Sequence, residues 1–131
     1  MKAVDLAVLA NSQLLVNSRK YDAAIESLNY FVDILPNDAR AHYFLGEAKR
    51  KKNPHGSFSE RIASYQKALE ADPSLDAPYR ELGMAYRQQG EAEKAKQAYK
   101  TYLQMSPNAL DAPLIKWYHD NIDATKSAVL N

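Results

Sequence analysis

The chain has 131 residues, 17 Lys and Arg against 16 Asp and Glu for a formal net charge of +1, 46% hydrophobic residues and no cysteine. Its length bounds it to about one domain, its near-neutral balance excludes a whole-chain field favouring nucleic acid or an anionic membrane, and the missing cysteines exclude disulfides, thiolate metal sites and thiol catalysis. Asp5 interrupts the apolar opening Ala3 to Ala10, and no run reaches the ~18 apolar residues of a membrane span, so the expectation is a soluble chain with no membrane insertion and no targeting address.

In chain order, Val4 to Val16 has a helical pattern with Val4, Val8 and Leu15 on one side. Leu6, Leu9 and Val16 make the rest of that helix apolar too, so it expects cover from an upstream segment, a partner or a second copy. Arg19 and Lys20 mark a break. Tyr21, Ala24, Ile25 and Leu28 then form the inward stripe of a second helix that Pro36 stops. Asp38 is placed to cap a third helix with Ala41, Leu45, Gly46 and Ala48 on its packing face. Lys49-Arg50-Lys51-Lys52 sits at that helix's carboxyl end, where the dipole favours cations, so a solvated terminus accounts for the run without an anionic partner. Asn53 to Ser57 is a loop, Ser57 or Ser59 is placed to cap the fourth helix, and Ile62, Tyr65, Ala68 and Leu69 point inward until Pro73.

Ala77 to Pro107 is the most explicit stretch. Tyr79, Leu82, Gly83 and Tyr86 fall at i, i+3, i+4 and i+7 on one helix face, the Gln88-Gln89-Gly90 break follows, and Ala95 and Tyr99 lie one turn apart on the next helix before Pro107. Gly83 costs about 1 kcal/mol in a helix interior, so close approach of the neighbouring helix is the expected reason for it. Asp111-Ala112-Pro113 repeats Asp76-Ala77-Pro78, each reading as an N-cap Asp with Pro in the first turn. Leu114, Trp117, Tyr118 and Ile122 against Lys116, Asp120 and Asp123 then write an end helix with one apolar and one wet face.

The order aromatic-x2-Leu-Gly-x2-Tyr, Ala-x3-aromatic, Pro resembles the tetratricopeptide repeat family, a helix-turn-helix unit of about 34 residues. Aligned on Pro36, Pro73 and Pro107, the chain divides into repeats of about 2–37, 38–74 and 75–108 and a capping helix of about 111–128, one domain over 1–131. The first repeat lacks the Leu-Gly signature. The middle one carries three extra residues, assigned to the Asn53 to Ser57 loop, and has Arg61 where the family has a small residue. The resemblance implies an all-α superhelical solenoid whose first helices line a concave groove that binds a peptide or protein segment.

Chemistry adds little to that. His42, His55 and His119 are far apart without a ligand-like partner, Glu26, Glu47, Glu70 and Glu81 are scattered over separate helices, and phosphate loops and nucleophile elbows are absent. No catalytic residue, metal or cofactor is therefore assigned, and the nine tyrosines serve packing rather than base stacking. Placing the non-packing positions of the first helices on the groove side gives Arg40, Tyr43, Glu47 and Arg50 in the second repeat and Arg80, Met84 and Arg87 in the third. Mostly basic with adaptable Tyr and Met, this set expects an acidic, partly apolar protein segment. The chaperone-binding members of the family use Lys and Asn, then Asn, then Lys and Arg, where this chain has Leu9 and Gln13, Phe44, and Ala77 and Glu81. That clamp is not carried over.

A competing reading takes the chain as an accessory segment of a larger bacterial envelope protein, a hydrolase or lipoprotein, serving in assembly or homodimerisation. The closing Tyr102-Leu103-x-x-Ser106-Pro107 phrase resembles such tails, and Leu6, Leu9 and Val16 would be the end interface. Location follows the reading, cytoplasmic by default and periplasmic in the envelope case.

Overall fold

The computed structural model describes residues 3–122; the Val4 side chain, Asp123 and the rest of the expected capping helix to 128 lie outside the described residues. Seven helices and no strand occur among them: α1 (Ala3–Asn17), α2 (Tyr21–Ile34), α3 (Ala39–Lys52), α4 (Phe58–Ala71), α5 (Ala77–Gln89), α6 (Ala92–Met105) and α7 (Ala112–Asp120). They fall into two compact units, Met1–Pro73 and Ser74–Asn131.

In the first unit α1 packs on α2, α2 on α3 and α3 on α4. One core cluster there is Leu9, Val16, Ala24, Leu28, Phe31, Ala41, Leu45 and Ala48, and α4 adds buried Ile62, Tyr65 and Ala68. This corrects the expectation for the end interface. Leu9 and Val16 are 4% exposed and face inward with Ser12 between them, while Val8 and Leu15 only flank that stripe; of the three named residues only Leu6, at 49%, is open to solvent. A helix of period 3.6 puts residues 9, 12 and 16 on one line, and a polar Ser in the middle of that line hides the true inward stripe from a count of apolar residues.

That serine explains the weak first repeat. Tyr99 comes sixteen residues after Gly83, and Leu28 comes sixteen after Ser12. A Cβ built on Gly83 would collide with the Tyr99 ring, and one on Gly46 would lie 2.5 Å from the Tyr65 ring, so a tyrosine on the second helix requires glycine on the first. The first repeat substitutes the smaller Leu28, which admits Ser12; the Ser12 hydroxyl donates back to the Val8 carbonyl at 2.9 Å and is fully buried.

Arg61 is the middle repeat's departure, and it is 2% exposed. Its guanidinium donates to the carbonyls of Asn53 at 2.6 Å and Gly56 at 2.7 Å and lies 4.8 Å from the Phe58 ring centre. The oversized residue therefore clamps the three-residue insertion, and the two departures from the family pattern are one feature. Ser57 occupies the N-cap position of α4 but does not cap with its side chain: it takes a left-handed conformation, φ 54°, and its hydroxyl accepts from Asn53 Nδ2 instead, while Ser59 lies within the helix. Asp38 does cap α3, accepting from the Ala41 N–H at 2.9 Å.

In the second unit α5 packs on α6 and α6 on α7, around Ala95, Tyr99, Tyr102, Ile115 and Ile122. Gly90 ends α5 at φ 83°, with its N–H on Arg87 and the Glu91 N–H on Tyr86, a left-handed stop suited to glycine. Arg19 takes the same kind of conformation after α1, at φ 61°. Pro78 and Pro113 lie in the first turns of α5 and α7 as expected, but Asp76 and Asp111 do not cap with their side chains.

Candidate functional site

The carboxylates freed from capping build the polar frame of the second unit. Asp76 accepts from the Ser106 hydroxyl, tying the start of α5 to the end of α6. Asp111, at the start of α7, accepts from the Tyr102 hydroxyl of α6 at 2.6 Å and from Arg80 Nε of α5, while Arg80 Nη1 also donates to Glu81 at 2.7 Å. Burial raises the Asp111 carboxyl, but the Tyr102 and Arg80 hydrogen bonds outweigh it and leave the group below its usual range. Burial and the adjacent Asp111 charge push Tyr102 up to about 12. Arg80 is thus committed to two carboxylates of its own chain, one of them the largely buried Glu81. It is a strut before it is a ligand contact.

Arg87 is placed differently. Its guanidinium carbon lies 4.4 Å from the Tyr118 ring centre, and its Nε donates to the Tyr99 hydroxyl at 3.3 Å; that hydroxyl in turn donates to Met84 Sδ at 3.1 Å. Tyr99 and Tyr118 are stacked at 6.2 Å, and Trp117 meets Tyr118 edge-on at 5.6 Å. Burial raises the Tyr99 phenol, so it stays protonated and serves as a neutral partner. Among the described residues Arg87 meets the Tyr118 ring and the Tyr99 hydroxyl, contacts that hold its orientation.

On α3 the expected residues form a mixed face. Arg50 pairs with Glu47 at 2.6 Å, the other oxygen of Glu47 accepts from the Tyr65 hydroxyl at 3.0 Å, Tyr43 packs on the rings of Phe44 and Tyr65, and Arg40 is exposed. The basic run 49–52 is divided rather than pooled. Lys49 donates to Ser64 at 3.0 Å, with burial lowering its pKa, and Lys52 pairs with Asp22 at 2.5 Å. His42 is buried with Nε2 donating to the Pro36 carbonyl at 2.7 Å, a packing role. Among the described residues no three His, Asp or Glu converge as a metal set, and no helix is long and apolar enough to cross a membrane.

Asp111, Tyr118, Tyr99 and Tyr102 are the site residues that side-by-side reading of the helices missed. A spacing held the signal: Asp111 follows Arg80 by 31 residues, and Tyr118 follows Arg87 by the same interval, one helical turn short of a repeat. Positions so related meet across adjacent first helices.

A family model described as Tetratricopeptide repeat matches residues 9–76, and a second with the same description matches residues 79–109. The chain belongs to the tetratricopeptide repeat family. Among curated proteins it is similar to Protein CTR9 homolog of Arabidopsis thaliana, 30% identical over 105 residues, which covers 79% of this chain but only 9% of that protein's length. Among solved structures it is similar to the first TPR domain of human RPAP3, 21% identical with a TM-score of 0.81 over 95% of both chains. The first TPR of Spaghetti (RPAP3) bound to the HSP90 peptide SRMEEVD matches at 21% identity and a TM-score of 0.79, covering 94% of this chain and 93% of that one. The fold is therefore the all-α tetratricopeptide fold, a helical-repeat scaffold.

Proposed function

We propose that this tetratricopeptide chain is a protein-interaction module that takes an acidic, partly apolar segment of a partner on the exposed side of α5, with Arg87 as the anchoring cation. The observation that carries the reading is the Arg87 guanidinium, fixed over Tyr118 and beside Tyr99 with no carboxylate partner among the described residues. A fixed guanidinium presents its donors to a carboxylate without first losing conformational freedom, and the Met84 thioether beside it adapts to varied apolar side chains. Arg80 is not a ligand contact, because Asp111 and Glu81 already occupy it.

Spaghetti, which shares the fold, holds a peptide with two Glu and an Asp, which supports an acidic segment as ligand class. The family's chaperone clamp is not the means here, since Glu81 stands at one of its basic positions and is 7% exposed against Arg80. A tagged chain used to isolate its partner from cells, followed by titration of the best binder, tests the reading. Arg87→Glu should abolish binding with the helical circular dichroism unchanged, and added salt should weaken the parent complex. Undiminished affinity in Arg87→Glu would place the ligand elsewhere.

A further inference from the structure

Two features of the exposed side of α2 serve neither its packing nor its helix. The helix carries three carboxylates, Asp22, Glu26 and Asp33, and neither Lys nor Arg. With about 3.6 residues per turn these fall on one line, with Ala23, Tyr30 and Ile34 on a second line beside it, and all six are exposed. Tyr30 is 69% exposed and Ile34 60%. Counted from Pro36, Pro73 and Pro107, Tyr30 corresponds to Lys67 of α4 and Thr101 of α6, so the repeat does not require a ring there. Asp33 lies in the last turn of α2, where the helix dipole disfavours an anion, and Glu70 lies likewise in the last turn of α4; neither last turn holds a basic residue. Asp33 and Glu70 line one cleft of about 400 Å³ at those helix ends, together with Lys67 and the buried His42. At the start of α2, Lys52 pairs with Asp22, so negative charge is left toward the Asp33 end.

We propose that this face is an interaction surface distinct from the Arg87 site, and that its occupant is a basic amphipathic helix of a partner protein. The partner's apolar side lies on Tyr30 and Ile34, and its cations lie over Glu26, Asp33 and Glu70. Charge selects the occupant. A segment bearing Lys or Arg gains at the carboxylates and at the two helix carboxyl ends, whereas an acidic segment, or a second copy meeting the same face, sets like charges against each other. Spacing selects a helix: Tyr30 and Ile34 form an i, i+4 ridge about 6 Å long, the kind that interdigitates with a neighbouring helix, and Glu26 to Asp33 runs beside it for about 10 Å. Acids flank the apolar pair on one side only, so the partner's Lys or Arg must lie on a single flank of its own apolar stripe. Tyr30 suits the contact, with a broad apolar ring and a hydroxyl for the wet edge. Residues kept where they burden their own helix are the ones expected at a functional surface.

The Arg87→Glu chain serves as bait, so that binding at α2 is read apart from the acidic-segment proposal. Immobilised, it is panned against a display library of helical peptides randomised on one face, and the enriched helices are resynthesised and titrated. They should carry an apolar pair at i, i+4 with Lys or Arg along one flank. Tyr30→Ser with Ile34→Ser, and separately Glu26→Lys with Asp33→Lys, should each weaken the best helix about tenfold or more with the helical circular dichroism unchanged, since all four side chains are exposed. The same helix remade with Glu for its Lys and Arg should bind the charge-reversed variant better than it binds the bait. Enrichment of no helix, or of helices without excess cations, overturns the proposal. So does affinity that survives both double variants, failure of the charge swap, or sedimentation showing a dimer of the 131-residue chain that Ile34→Ser disperses, which would give the face to a second copy.

Discussion

Gly83→Ala isolates the contact on which the repeat geometry rests. The added methyl would meet Cδ1 and Cε1 of Tyr99 well inside van der Waals distance. The ring has little freedom to yield: it is fully buried, stacked on Tyr118, and its hydroxyl is engaged by Arg87 and Met84. So α5 must move away from α6. Gly→Ala in a helix interior normally gains about 1 kcal/mol, and overpacking a core costs about 1–3 kcal/mol, so the expected net result is a loss of up to about 2 kcal/mol where an unpacked helix would gain. Urea denaturation followed by circular dichroism measures it. The first repeat supplies the control, because Ser12 with Leu28 shows that a smaller second-helix residue relieves the contact. In a Tyr99→Leu background, itself destabilised by about 2–4 kcal/mol through the cavity left behind, adding Gly83→Ala should cost nothing or return part of the loss, a coupling of about 1–3 kcal/mol. A Gly83→Ala variant as stable as its parent, or one whose effect is the same in both backgrounds, would refute the close-approach argument.

Arg61→Ala should lose about 2–4 kcal/mol, from two charge-assisted hydrogen bonds to loop carbonyls and the packing of its buried side chain on Phe58, and removing residues 54–56 along with it should recover part of that loss in thermal melts. Arg19→Gly should stabilise the chain by up to about 1 kcal/mol, because a left-handed arginine is strained where glycine is not; no gain in melting temperature would mean that the Arg19 side chain earns its place. The Asp111 carboxyl is depressed in the folded state, so its contribution is fully present above the ordinary value of 3.8 and is lost as pH falls through the lower folded value. Asp111→Asn should therefore be less stable than the parent near neutrality and converge with it below that range, and a constant difference across an acid titration would contradict the assignment.

The helix pairs were legible because their signals are local. Pro36, Pro73 and Pro107 punctuate the chain, Gly46 and Gly83 mark close approach, and apolar residues recur at helical spacing. What sequence reading obscured was compensation between distant residues. Ser12 looks like a defect until Leu28 is set beside it, and Arg61 looks like a misfit until the lengthened loop is seen folded onto it. Arg80 reads as a free groove cation, since nothing nearby in sequence announces that Asp111 abandons its cap to reach it. Leu9 and Val16 read as surface in the sequence because a helix with apolar residues all round gives no phase; only packing on α2 settles which line faces in.

The claim that the module takes acidic, partly apolar segments through Arg87 is tested most directly by selecting a randomised peptide display library on the immobilised chain and measuring the enriched peptides by titration against the parent and Arg87→Glu. The account predicts peptides in which Asp or Glu stands beside an apolar residue, bound at least about tenfold more weakly by Arg87→Glu, a difference of about 1.4 kcal/mol. Enrichment of neutral or basic peptides, or of acidic peptides that bind both proteins equally, would contradict it.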